Sequence, residues 1–111
     1  SDPGRDLLIC EAQGVPVGHL RFDAAGEGDR LVGICMASEM RGTGLGQRCL
    51  STGCDWAMAR GAGRILAEIH ADNAASRLLF RRCGFVLEDT TGAFGHYSLS
   101  GPGEGAKGDA P

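Results

Sequence analysis

The stretch Arg41-Gly42-Thr43-Gly44-Leu45-Gly46 decides how the rest of the chain is read. An apolar run, Leu31-Val32-Gly33-Ile34-Cys35-Met36, comes just before it, and helical spacing begins at Leu45. Strand, glycine-rich turn and helix in that order make a site for an anion. The first N–H groups of a helix have no carbonyl partner within it, and they sit at the positive end of its dipole. Glycine lets such a backbone take φ > 0 and come close to the anion. Arg41 adds a guanidinium able to pair with phosphate through two hydrogen bonds. A Walker loop is excluded, because no Gly-Lys-Ser/Thr follows. The dinucleotide fingerprint is excluded too: its third glycine would fall at Gln47, whereas here the glycines are Gly42, Gly44 and Gly46.

Upstream, residues 7–12 and 15–22 read as strands joined at Gln13-Gly14. Pro16 suits the start of a strand, where no N–H donor is needed. A Gly- and Asp-rich loop, 23–29, leads to a third strand over 30–36. Three strands with short polar turns imply an antiparallel meander. Downstream, 45–60 reads as a helix, with Leu45, Cys49, Gly53 and Ala57 at i+4 and Gly61-Ala62-Gly63 ending it. Residues 64–70 form a strand that a right-handed crossover places parallel to 30–36. Asp72 or Asn73 caps a second helix, 74–83, which Gly84 stops. A final hairpin takes 85–88 and 94–99. The fold class is therefore α/β (α+β): a mixed sheet of meander, parallel pair and C-terminal hairpin, with two helices. Residues 1–100 form one domain, and the Gly/Pro-rich tail, 101–111, is expected to be disordered.

Composition narrows the classes. A chain of 111 residues with 42% apolar content fits one domain with a modest core. The formal net charge of −3 argues against nucleic acid as a partner. No apolar run is long enough to span a membrane. Five cysteines, none in a C-x-x-C pair and none at zinc spacing, read as free thiols in a reducing cytoplasm, with no metal site. The first residue is Ser1, which suggests a processed or excised segment.

A second motif fixes the ligand. Asn73-Ala74-Ala75-Ser76-Arg77-Leu78-Leu79-Phe80-Arg81-Arg82-Cys83-Gly84-Phe85 resembles the N-x-x-[A/S]-x-x-L-[Y/F]-x-x-x-G-F segment of the GNAT family of N-acetyltransferases. The Arg41–Gly46 stretch matches that family's [Q/R]-x-x-G-x-[G/A] signature. The resemblance covers roughly residues 7–100. It implies acetyl-CoA as co-substrate, with its pyrophosphate on the amides of Gly42, Thr43, Gly44, Leu45 and Gly46 beside Arg41. It implies that strands 30–36 and 64–70 splay apart and that the pantetheine arm pairs with main chain at Ile34, Cys35 and Met36. A Met36 N–H would then polarise the thioester carbonyl. Asn73, Ser76 and Phe80 are implied to line the same wall.

Transfer to an amine needs a neutral amine, a polarised carbonyl and a departing thiolate. By resemblance, Glu68 is the candidate base, acting through water; the other reading is a half-exposed strand residue. His70, two residues on, shares its strand face and is a second candidate base. Glu39 precedes the glycine turn and is a candidate for steering an amine. His96 and Tyr97 lie in the last hairpin, on the acceptor side. Many family members carry a tyrosine at the position of Phe80 to protonate the thiolate, so Tyr97 or Ser76 is expected to replace it. The family also begins with a strand and two helices that wall the acceptor site, and only Ser1–Asp6 precede the first strand here. A homodimer, a fused upstream domain or a macromolecular substrate is therefore expected to complete that site. Two functions follow: an N-acetyltransferase acting on a primary amine, or a non-catalytic acetyl-CoA sensor or interaction module.

Overall fold

A computed structural model describes residues 4–40 and 42–100. Arg41 and the tail, with the disorder expected of it, lie outside the described residues. The order is β1 (Arg5–Ala12), β2 (Val15–Ala24), β3 (Arg30–Met36), a 3-10 turn (Ser38–Met40), α1 (Leu45–Ala59), β4 (Arg64–His70), α2 (Ala74–Arg82), β5 (Val86–Thr91) and β6 (Phe94–Ser100). The mixed sheet has the strand order β1-β2-β3-β4-β6-β5. The meander and the parallel β3–β4 pair are as the sequence predicts. The final hairpin is inserted the other way round from chain order: β6 lies against β4 along its whole length, and β5 forms the edge.

Local chemistry explains the connections. Gln13 and Gly14 both take positive φ (54° and 79°), the geometry of a two-residue hairpin turn whose twist matches the strands. Asn73 caps α2: its Oδ1 accepts from Ser76 N–H at 3.1 Å. Asp29 carries the crossover's return. Its carboxylate accepts from Arg64 N–H (3.1 Å) and pairs with the Arg64 guanidinium (2.9 Å) at the point where β4 begins.

Both helices pack on one face of the sheet. That face holds Leu20, Phe22, Val32, Ile65, Ala67 and Ile69, all buried. α1 comes so near that a Cβ on Gly53 would fall on Leu20 Cδ1 and stand 3.6 Å from Phe22 Cε2. α2 is tied to α1 by Cys83 Sγ donating to Gln47 O (3.6 Å) and to the core by Phe80, whose ring meets Phe85 edge-on at 4.9 Å. The opposite face carries no described helix. Leu7 and Ile9 on β1, directly opposite Arg21 and His19, remain 60% and 57% exposed there.

Candidate functional site

β3 and β4 part almost as soon as they meet. Only Arg30↔Ile65 and Leu31↔Leu66 are paired, although β3 continues to Met36 and β4 to His70. The ladders on either side fix which main-chain groups face the resulting gap. Ala37 N–H donates to Val17 O (2.8 Å), in register with the Gly18↔Met36 pair. An antiparallel ladder alternates between residues that bond their partner strand and residues that turn away. Cys35 and Gly33 therefore bond to β2, and Ile34 and Met36 turn N–H and C=O into the gap. Ala71 N–H, donating to Ala93 O (2.8 Å), sets β4 in the same way. Ala67 and Ile69 bond to β6, and Glu68 presents its main chain to the gap.

The gap ends at the glycine turn. Gly42 and Gly44 have φ of 78° and 85°, a left-handed region that other L-residues enter at a cost. Thr43 Oγ1 donates to Met40 O (2.6 Å) and accepts from Leu45 N–H (3.3 Å), which holds the turn in shape. The N–H groups of Gly44, Gly46 and Gln47 have no acceptor among the described residues and open α1 toward solvent. Gly46 is a different case: it is helical, and a Cβ there would make ordinary contacts with Met36 Cγ (3.7 Å) and Leu79 (3.8 Å). A concave set of free N–H groups at a helix start holds a pyrophosphate, and unpaired strand edges hold amides.

The expected residues divide as follows. Ile34, Met36 and the turn 42–46 come together; Arg41 lies outside the described residues. Cys35 departs from expectation, because strand alternation commits its main chain to β2 and leaves its thiol exposed on the open sheet face. Phe80 also departs: it is 3% exposed, packed on Phe85 in the core, and gives a ligand almost no surface. The apolar ring at that helix position is drawn into the interior. Asn73 spends its carbonyl oxygen on capping, which leaves its exposed amide nitrogen for a ligand, and Ser76 is half-buried beside it.

Glu68 and Tyr97 do not meet. Glu68 pairs with His96 and Tyr97 with Ala67, so alternation puts Glu68 on the open face and Tyr97 on the helix-covered face. Tyr97 is 5% exposed, and its ring lies over Gly95, where a Cβ would stand 3.0 Å from Cε1. Glu68 is accessible, its side chain 54% exposed, with His96 Nδ1 at 3.7 Å from Oε2. His70 is held in its own turn: Nδ1 accepts from Asp72 N–H (3.1 Å), and the ring meets Phe94 edge-on. Glu39 is exposed and takes a long hydrogen bond from Ser38 Oγ (3.4 Å).

Two depressions flank Glu68 on the open face. One of about 340 Å³ lies toward β6 and β5 and includes Leu66, Glu88, Asp89, His96 and Ser98. The other, of about 190 Å³, lies toward β3 and β2, between Arg21, Leu31 and Gly33. The sequence places His96 in the final hairpin but does not bring it to Glu68, and nothing in it marks Gly33. The register that joins them is non-local and has no signal in either segment alone.

The cysteines carry no site of this kind. Burial pushes the Cys10 and Cys54 thiols up to about 12, with Cys49 beside Cys10 adding to the first, and burial also raises Cys83. No group of three or more His, Cys, Asp or Glu side chains is placed to hold a metal ion among the described residues. No described helix is long and apolar enough to cross a membrane.

Residues 1–85 match the acetyltransferase (GNAT) family. The chain belongs to that family. A mycothiol acetyltransferase of Corynebacterium jeikeium is 30% identical over 76 residues, which is 68% of this chain and 22% of that protein. This GNAT chain thus spans less than a quarter of the curated relative it matches. Its fold is that of the N-acetyltransferase PseH of Campylobacter jejuni, solved in complex with acetyl coenzyme A. The TM-score is 0.80 at 15% identity, over 89% of this chain and 70% of that one. The GNAT domain of S. lividans PAT gives 0.77 at 19% identity, over 87% and 61%.

Proposed function

We propose that this domain is an N-acetyltransferase that moves the acetyl group of acetyl-CoA to a primary amine of a small molecule or protein. The observation that carries the reading is the β3–β4 gap. It is edged by the unpaired main chain of Ile34 and Met36 and ends at the free N–H groups of Gly44, Gly46 and Gln47. Family membership and the likeness to a structure solved with acetyl coenzyme A support the same ligand. Acetyl-CoA supplies an activated acyl group on a thiolate leaving group. The turn would hold its pyrophosphate, with Arg41 as a further phosphate partner. Ile34 and Met36 would pair with the pantetheine amides as an added strand does, and the Met36 N–H would polarise the thioester carbonyl. Asn73 and Ser76 would meet the arm from α2.

The helices cover one face, so the amine enters from the other. Glu68 stands there and takes the amine's proton through water. Of the hydroxyl candidates for protonating the thiolate, Tyr97 lies on the covered face and position 80 is phenylalanine, which leaves half-buried Ser76 as a donor. A thiolate leaves without one, since the parent thiol is a far stronger acid than an alcohol. The open face is also where a second copy, a fused domain or a macromolecular substrate would complete the acceptor site. We place the domain in the cytoplasm, with neither nucleic acid nor membrane as partner.

Thiol release from acetyl-CoA, followed with an amine and peptide panel, tests the reading. Glu68→Gln is expected to lose turnover by at least tenfold with CoA binding intact. Phe80's burial and the missing hydroxyl favour one other function, a non-catalytic acetyl-CoA-binding sensor or interaction module. Under that alternative acetyl-CoA binds, no amine releases thiol, and Glu68→Gln changes nothing.

A further inference from the structure

Gly33 sits in the middle of β3, where glycine weakens a strand, and the fold does not require it. It is not among the residues with positive φ, so its backbone suits any L-residue. Its surroundings do not require it either: a Cβ built there would meet only Arg21 Nη2, at 3.8 Å, an ordinary contact with the end of a flexible side chain. Gly18 and Gly53 differ, since a Cβ at either would collide with main chain or core. Gly33 lies on the open face, paired with Arg21 of β2. Continuing the parallel register from Leu31↔Leu66 sets it directly across the gap from Glu68. The two residues line one depression, with Arg21 and Asp23 at its far side. Arg21 is held by its Nε–Asp23 Oδ2 bond (3.1 Å) with Nη2 at 3.8 Å from the Gly33 Cβ position, and Asp23 is in turn held by Arg5 (2.7 Å).

We infer that Gly33 is a specificity-determining residue. The space left by its missing side chain is the notch through which an amine acceptor reaches Glu68, and the group attached to the amine-bearing carbon rests against the Gly33 backbone. The notch admits a primary amine on an unbranched or singly substituted carbon and excludes bulk. This deepens the acetyl-transfer reading and rests on it.

The test uses Gly33→Ala and Gly33→Val with a panel of n-butylamine, ethanolamine, glucosamine and an alanine tripeptide. Melting temperature and CoA affinity are expected to stay within error of the wild type or, for melting, to rise. kcat/KM is expected to fall about tenfold in Gly33→Ala and about a hundredfold in Gly33→Val, most for the amines on substituted carbons. Equal kcat/KM across the panel in wild type and Gly33→Val overturns the notch while leaving the acetyltransferase reading intact. A lower melting temperature in Gly33→Ala also overturns it, because the glycine would then serve packing. If the wild type acetylates nothing on the panel, the acetyltransferase reading falls and the notch falls with it.

Discussion

The two ends of the glycine turn should answer oppositely to the same substitution. Gly44 has φ of 85° and nothing within 4 Å of a Cβ position, so Gly44→Ala meets no clash and suffers only the left-handed backbone. That costs about 1–2 kcal/mol. Gly46 is helical, and its Cβ would make contacts at 3.7–3.8 Å. Gly46→Ala should therefore gain the helix-propensity difference, about 0.5–1 kcal/mol. On a domain of this size, each kcal/mol moves the melting temperature by roughly 4–8 °C. The variants should straddle the wild type in a thermal melt, separated by roughly 6–24 °C. Binding should follow a different logic. If the Gly44 backbone relaxes to negative φ, at least one N–H turns away from the pyrophosphate. A hydrogen bond to a charged group is worth about 1.5–3 kcal/mol, so CoA affinity should fall by roughly 10- to 100-fold in Gly44→Ala. In Gly46→Ala it should stay within about threefold of the wild type. Calorimetry with CoA measures this. Equal destabilisation of the two variants would refute the assignment of strain to Gly44. Undiminished affinity in a destabilised Gly44→Ala would refute the turn as the phosphate site.

Gly53→Ala places a methyl on Leu20 Cδ1 in a fully buried layer and should cost about 1–3 kcal/mol, read as a lower urea midpoint. Asn73→Ala should lose the α2 cap, about 1 kcal/mol, whereas Asn73→Asp keeps the acceptor oxygen. Weaker CoA binding in the stable Asp variant would show that the amide nitrogen contacts the ligand, and equal binding would remove Asn73 from the site. The Cys10 and Cys54 thiols have folded values near 12 against 9.0 unfolded, so the native state holds their protons longer. Their contribution to stability is full below pH 9 and is lost as pH rises toward 12. Urea midpoints should drop between pH 9 and 11, less steeply in Cys54→Ala, and at pH 8 a water-soluble alkylating agent should label Cys35 well before either.

Most elements were legible because their signals are local. Strand β3 begins and ends at Arg30 and Met36, and β4 at Arg64 and His70, as alternation and flanking turns predict; α1 stops one residue short of expectation, at Ala59. β1 and β2 start or finish two residues beyond the predicted spans, since their ends pair across Arg5↔Asp23 and Ala24↔Arg30, which neither segment reveals alone. The glycine turn was legible for the same reason: its glycines, the start of α1 and Arg41 all fall within a few residues. The acceptor side was not. Glu68 could be proposed from its place before Asn73, but its neighbours His96 and Gly33 come from β6 and β3, and only pairing joins them.

Period-two alternation tells which residues of one strand share a face, and glycine spacing tells where a backbone can bend. The sequence alone therefore determined the elements, the parallel crossover and the glycine turn. Alternation says nothing of which strand lies alongside or at what register. Those are set by packing among distant segments. Tertiary structure alone decided that β6 inserts beside β4, at which residues β3 and β4 part, and that Phe80 turns inward. It also decided that Glu68 and Tyr97 stand on opposite sides of one sheet.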